Sequence, residues 1–396
     1  MLMLSQTKLD VIDKKRSNIF SWRGQFTPEF IEYLIDTFAF NTYTTFDPFC
    51  GSGTVLLESA RRNLCSIGYE INPAAYAMSR FITLSNLSFK KRKGLAAAIL
   101  SKIDPILVHY YDLPLLEAKF SYRERYENLI HFAEELFSHI TVKNEMVVSL
   151  NALFHAESTG NGNLAQTIRK SFGRTIQQLY DLPEAAGNLS ARLCDARLSH
   201  ERLSDSIDLI ITSPPYINVF NYHQNYRAIM EVLGFDILKV AASEIGSNRK
   251  NRGNRFKTVV QYSLDMEETL ASLVRCLKNN GILILIVGRE SNVRGIPFSN
   301  SRILLEIAES NGAFDKVVTH ERVFINRFGK SIWEDIIVLK AKNQFAQCRA
   351  ARDIAREHLK ASLSSASGDV ADDITETISV LDNISPSPLL SKKGLI

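Results

Sequence analysis

The chain has 396 residues, 45% of them hydrophobic, and a formal net charge of +4. This is room for two domains, or for one sheet domain with a large insertion, and the charge is too small to demonstrate a polyanionic partner. No apolar run reaches membrane-spanning length, Met1 to Lys15 lacks a signal-peptide pattern, and the five cysteines are scattered without CxxC spacing, which argues against structural zinc and for a reducing cytoplasm.

In chain order, the first expected element is a helix over Pro28-Glu29-Phe30-Ile31-Glu32-Tyr33-Leu34-Ile35, with proline in its first turn and Thr27 as N-cap. Thr44-Thr45-Phe46-Asp47-Pro48-Phe49-Cys50-Gly51-Ser52-Gly53-Thr54 then reads as a strand running into a glycine turn, with a helix through Arg62. Gly51 and Gly53 remove side chains where a ligand must approach the backbone, and the helix start adds free N–H groups. Leu56 in the third glycine position departs from the dinucleotide fingerprint, and no Gly-Lys-Ser/Thr follows to make a P-loop. A second strand, Cys65 to Tyr69, ends in Glu70 and Ile71, and Asn72-Pro73 opens the next helix. An acid at that strand tip is where a ribose diol is held by paired hydrogen bonds.

The sheet pattern then stops, and 87–190 reads as a mainly helical insertion, with helical periodicity over Arg123 to Ile140 and Asn163 to Tyr180. Its basic clusters, Lys90-Lys91-Arg92-Lys93 and Arg169-Lys170 with Arg174, read first as solvated surface. The sheet resumes in a short strand from Ala191 that ends at Asp195-Ala196. One strand later the apolar run Ile207-Asp208-Leu209-Ile210-Ile211 empties into Thr212-Ser213-Pro214-Pro215-Tyr216. Both prolines have fixed φ and no N–H, so the carbonyls of Ser213 and Pro214 stay out of any helix and are free to accept a hydrogen bond from a substrate proton. With the flat face of Tyr216 beside them, the ledge suits a planar amine such as a nucleobase, and Phe220 or Tyr222 offers a second wall.

Gly246 to Lys257 packs Arg249, Lys250, Arg252, Arg255 and Lys257 with no acid into a glycine-broken loop, the best phosphate-gripping candidate in the chain. A helix from Ser263 to Lys278, a turn at Asn279-Asn280-Gly281 and an apolar strand from Ile282 to Val287 follow. After a helix near 300–311, the runs Lys316 to Ile325 and Ile332 to Lys340 form a closing antiparallel hairpin. The remainder, 343–396, reads as partly helical and then as a flexible serine-rich tail. His223 and His320 have no companions at metal-ligand spacing and read as satisfied polar histidines, so no metal is expected.

Together, Asp47 to Thr54 and Thr212 to Tyr216 resemble the motifs of the S-adenosylmethionine-dependent DNA amino-methyltransferases, which act on cytosine N4 or adenine N6. The resemblance covers roughly Phe20 to Asn86 and Ala191 to Lys342. It implies a doubly wound, mostly parallel α/β sheet of class I methyltransferase (Rossmann-like) type, with a catalytic domain over 18–86 and 191–342; it does not cover the insertion, which, like the cationic loop, is a candidate target-recognition region. It further implies that Phe26 and Thr27 match the motif near the methionine end of the cofactor. Asp47, Pro48, Phe49, Cys50, Gly51, Gly53 and Thr54 would surround its amino-acid and sulfonium region. Glu70 and Ile71 would meet the ribose, Asp195 and Ala196 the adenine, and Ser213, Pro214, Pro215 and Tyr216 would form the catalytic motif.

Serine at the first position of that motif leans towards cytosine N4, with adenine N6 the alternative. Duplex DNA and a cognate restriction endonuclease are the implied partners, in the cytoplasm, with Tyr222 and the cationic loop on the nucleic acid. Three readings compete: an RNA or tRNA base methyltransferase, a non-catalytic nucleic-acid-binding module, and a nicotinamide oxidoreductase. The last is disfavoured by Pro48 and Phe49 inside the glycine turn.

Overall fold

The computed structural model describes residues 4–111, 122–159, 163–217, 222–247, 251–310, 312–326, 329–342 and 350–390. Its strands are β1 (Thr44–Asp47), β2 (Cys65–Glu70), β3 (Leu189–Leu193), β4 (Ile207–Thr212), β5 (Leu277–Gly288), β6 (Glu290–Val293), β7 (Ile296–Ser299), β8 (Phe314–Ile325) and β9 (Ser331–Ala341). Seven of them form one sheet in the order β3-β2-β1-β4-β5-β9-β8, and β6 pairs only with β7. Strands β1 to β5 are mutually parallel, whereas β9 runs antiparallel to both β5 and β8. This is the doubly wound sheet with a closing hairpin. Its strand order reverses between β1 and β4, which opens a crevice at their carboxyl ends.

Ahead of and around the first strands lie α1 (Gln6–Asp10), α2 (Pro28–Phe38), α3 (Thr54–Arg61) and α4 (Pro73–Ile82). Continuous apolar runs in β4 and β5 are explained by burial on both faces. Ile210, Leu283 and Leu285 join one core with Leu270 and Ile303, while Leu209, Ile211, Ile284 and Ile286 face Phe30 and Leu34 of α2.

The insertion is helical: α5 (Phe89–Tyr111), α6 (Tyr122–Ser138), α7 (Lys143–Ser158) and α8 (Leu164–Asp181). Phe132, Leu153 and Phe172 form a second core that continues onto Met78 and Phe81 of α4, so the insertion is fastened to the sheet domain by apolar packing. One basic cluster is not all surface: Arg92 is buried, and its guanidinium donates to the carbonyls of Leu179 and Leu182, closing α8 onto α5.

Four further helices follow the insertion: α9 (His200–Leu203), α10 (Arg227–Val232), α11 (Ile237–Ser243) and α12 (Lys257–Cys276). Helix α12 starts six residues before the expected Ser263, because Phe256, Val259 and Val260 already supply a buried stripe and Asn254 Oδ1 accepts from the Phe256 N–H at 3.1 Å. The expected turn at Asn279-Asn280-Gly281 is a bulge within β5, between the pairs Ile207–Leu277 and Leu209–Ile282. Beyond α13 (Asn300–Ser310) the stretch expected to be partly helical does form a helix, and the expectation of a flexible serine-rich remainder is corrected by a second one. Helices α14 (Ala351–Ser362) and α15 (Asp369–Ser379) are folded against the main core through fully buried Ala355, Leu359, Ile374 and Leu381. Four such anchors, spaced for helices, suffice despite the serine-rich composition. Among the described residues no helix is long and apolar enough to cross a membrane, and no group of three His, Cys, Asp or Glu side chains could hold a metal ion.

Candidate active site

A cleft opens at the carboxyl ends of β1, β2 and β4. Its floor is set by one bond. Thr212, the last residue of β4, donates its hydroxyl to Asp47 Oδ1 at the tip of β1, at 2.6 Å, and both side chains are buried. Asp47 Oδ1 also accepts from the N–H of Phe49 at 3.1 Å, so the glycine turn and the Ser-Pro-Pro-Tyr ledge start from a common anchor.

The glycine turn folds back onto β2. Cys50 N–H donates to the Tyr69 carbonyl at 2.9 Å, and Gly51 N–H to Glu70 Oε2 at 2.8 Å. Both turn glycines have positive φ, +50° at Gly51 and +89° at Gly53. A side chain at Gly51 would press on the Trp22 indole, and one at Gly53 would stand 3.2 Å from the Ser79 backbone of α4. Gly53 therefore serves close helix packing and does not line the cleft, in contrast to the expected ligand approach. Glu70 Oε1 accepts from the N–H groups of Ile71 and Asn72 at 2.9 and 2.8 Å, and Asn72 caps α4.

Burial pushes the carboxyls of Asp47 and Glu70 up to about 7 each, against the lowering effect of their hydrogen bonds. Asp47 is raised further by the charge of Glu70, and Glu70 by that of Glu244. A cleft lined by carboxylates that resist ionisation is prepared for a cation or for hydrogen-bond donors.

On the ledge, Ser213 Oγ and the Tyr216 hydroxyl lie 3.2 Å apart. The Tyr216 ring rests on the backbone of Gly288 at the end of β5, where an added Cβ would come within 2.8 Å of it. Asn300, fully buried at the start of α13, accepts from the Ile217 N–H at 3.2 Å and donates to the Gly288 carbonyl at 2.9 Å, tying the end of the ledge to that strand. Among the described residues no donor meets the carbonyl of Ser213 or Pro214, although both residues line the cleft.

The cleft gathers Phe26, Asp47, Pro48, Phe49, Cys50, Gly51, Thr54, Glu70, Ile71, Asp195, Ala196, all of Ser213 to Tyr216, and Tyr222. Thr27 stays outside it as the N-cap of α2, with its carbonyl accepting from Phe30 and Ile31. Asp195 lines the cleft, yet its carboxylate is engaged within the chain. Oδ1 takes the Arg197 N–H and Nε, and Oδ2 takes Arg197 Nη2 and the Leu390 N–H. Those four bonds fill the roughly four acceptor positions a carboxylate has, which runs against the expected contact with adenine.

Tyr222 stacks on Trp22 with centroids 5.9 Å apart, forming an aromatic pair at the cleft. In the cationic loop, Lys257 is committed to Glu376 at 2.7 Å on α15. Arg252 and Arg255 are exposed and away from the cleft lining, and Arg249, Lys250 and Phe220 lie outside the described residues. Residues not anticipated are Trp22 to Gln25, which sit immediately before Phe26 and could have been read as part of the same segment, and Ser243, Glu244 and Ile245, which carry no local signal.

Residues 8–81 match the family model described as DNA methylase. The chain is 22% identical over 336 residues to Type II methyltransferase M.BsoBI of Geobacillus stearothermophilus, covering 68% of this chain and 64% of that protein. It is 29% identical over 99 residues to Type II methyltransferase M.MjaII of Methanocaldococcus jannaschii, covering 25% of this chain and 18% of that one. It thus spans just under two thirds of the first of these relatives and a smaller part of the second. Among solved structures, TrmN from Thermus thermophilus matches at 13% identity and a TM-score of 0.33, over 81% of this chain and 50% of that one.

Proposed function

We propose that the chain, whose residues 8–81 match the DNA methylase family model, is an S-adenosylmethionine-dependent amino-methyltransferase that methylates an exocyclic base amine in duplex DNA, the N4 amine of cytosine, after the base leaves the stack. The observation that carries this reading is the Thr212–Asp47 bond, which sets a glycine turn and an acceptor ledge on adjoining strand tips of one cleft. When bound, S-adenosylmethionine supplies an electrophilic methyl group on a positively charged sulfur. Asp47, Gly51 and the backbone-tethered Glu70 are the groups that would hold it, and their acidic lining fits a cation.

The remaining work falls to the ledge. An exocyclic amine is a poor nucleophile because its lone pair is delocalised into the ring. Ser213 Oγ and the Pro214 carbonyl, each accepting a hydrogen bond from one amine N–H, draw the nitrogen towards tetrahedral geometry and stabilise the positive charge that develops on attack. Alignment in a shared cleft supplies much of the rest. Tyr216 and the Trp22–Tyr222 pair provide flat surfaces for the extruded base, and Arg249, Lys250, Arg252 and Arg255 are assigned to the phosphates. Ser213, in place of aspartate or asparagine, carries the choice of cytosine.

Nucleoside mass spectrometry of DNA from cells expressing the chain tests the proposal. N4-methylcytosine is expected, and absent from cells expressing Ser213→Ala. N6-methyladenine instead would overturn the choice of base, and methylated tRNA with unmodified DNA would overturn the substrate.

Cofactor affinity should also depend on pH. Asp47 and Glu70 hold their protons up to about 7, so a cation binding beside them at pH 6 must displace a proton that is already gone at pH 8. For one such proton, Kd should fall about tenfold between pH 6 and 8. In the ligand-free chain the sign is opposite. Both carboxyls are raised above their unfolded values, so the stability they contribute is full below about 4 and is lost as pH rises through 7. Calorimetry across that window, in buffers of differing ionisation heat, reads the proton release directly, and a flat profile would exclude these two carboxyls from the site.

A further inference from the structure

The nucleoside half of S-adenosylmethionine carries more hydrogen-bond donors than the expected acids can accept. A ribose diol offers two O–H donors and an adenine amine two N–H donors. Glu70 has three of its roughly four acceptor positions filled by the N–H groups of Gly51, Ile71 and Asn72. Asp195 has all four filled by Arg197 and Leu390.

One more carboxylate lines the same cleft. Glu244 lies at the carboxyl end of α11, beyond the ledge and far from either motif in sequence. Its Oε2 is fixed at 2.9 Å from Nδ1 of His223, and both side chains are buried. His223 follows Tyr222, so the residue that orients Glu244 is the sequence neighbour of the ring that stacks on Trp22 at the cleft. Its charge reaches two other groups of the cleft: after the larger effect of burial it adds to the upward push on the carboxyl of Glu70, and after burial and the charge of Glu70 it adds to that on the hydroxyl of Tyr222. Two buried carboxylates facing one cavity repel each other until donors or a positive charge come between them.

From this geometry we infer that Glu244, held by His223, is a second carboxylate of the cofactor site and accepts a hydrogen bond from the nucleoside half of S-adenosylmethionine where Asp195 does not. The inference rests on the methyltransferase reading.

The test uses the full chain and calorimetric binding of S-adenosylhomocysteine, its 2′-deoxyribose analogue and its inosine analogue. Wild type should lose about ten- to a hundredfold in affinity when the contacted group is removed from the ligand. Glu244→Gln, which keeps the shape and removes the charge, should bind the parent ligand weaker by a similar factor and lose little more with the matching analogue. His223→Gln should give the same pattern in weaker form. A merely structural Glu244 predicts the same ligand discrimination in both proteins, and that outcome overturns the inference while the parent reading stands. Failure of the folded wild type to bind any of these ligands would overturn the reading and the inference together.

Discussion

Ser213→Ala should lower kcat by about two to three orders of magnitude, the usual loss when one preorganised charge-stabilising group is removed from an enzyme site, while the Kd for S-adenosylmethionine changes by less than about threefold. The reason is positional. Ser213 Oγ lies on the ledge, 3.2 Å from the Tyr216 hydroxyl, whereas the glycine turn is anchored one residue earlier through Thr212 and Asp47. Alanine leaves that anchor, the two prolines and the Asn300 tie to Ile217 in place. Only an acceptor is lost, and it matters most when the amine nitrogen turns cationic, so the effect belongs to the transition state and not to ground-state binding. Single-turnover kinetics on a DNA substrate, beside calorimetry with the cofactor, separates the two. If binding collapsed while the bound complex reacted at the wild-type rate, Ser213 would be a cofactor residue and the ledge would need another acceptor.

What could be read from sequence alone follows the range of the interactions involved. The β1 turn, the acid ending β2 and the ledge after β4 are written in contiguous residues, because each is a strand followed by a local conformational demand. The hairpin of β8 and β9 was legible for the same reason. The unread parts depend on partners distant along the chain. Nothing in Asp195-Ala196-Arg197 announces that the aspartate turns to its own neighbour, because that choice depends on Asp265 and on backbone carbonyls near residue 387. Glu244 is equally silent, since its place in the cleft is set by how α11 packs. Arg92 looked like one cation in a surface cluster, and only the closure of α8 over it made it a buried donor. The β6–β7 hairpin, turning through Arg294 and Gly295 at φ +51° and +91°, had the dipeptide of a tight turn. Its strands were too short to stand out.

Arg197→Ala should cost about 3–5 kcal/mol of stability, the range for removing one member of a buried ionic cluster. The guanidinium is almost fully buried, and all five of its N–H donors are in use. Two meet Asp195 at 3.0 and 2.6 Å, one meets Asp265 at 3.0 Å, and two meet the carbonyls of Ser387 and Pro388 at 2.7 and 3.0 Å. Alanine would leave two buried carboxylates facing each other and two carbonyls without donors. Lysine, with three donors on a point charge, cannot restore the set.

The loss should grow with pH. Burial already holds the Asp265 carboxyl up at about 6, with Arg197 pulling it down. Without the cation its folded value rises further above the unfolded one, so the variant is least impaired near pH 5, where the carboxyl keeps its proton, and most impaired near pH 8. Because Arg197 and Asp265 hold the segment around Ser387, and Leu390 packs against Ile71 of the cleft, that end of the chain should become the first site of proteolytic cleavage. Urea midpoints at the two pH values, with mass spectrometry of early digestion products, give the answer. A loss below about 1 kcal/mol that is equal at both pH values would mean that the apolar anchors Leu359, Ile374 and Leu381 hold the carboxyl-terminal helices unaided, and that the charged cluster contributes little to stability.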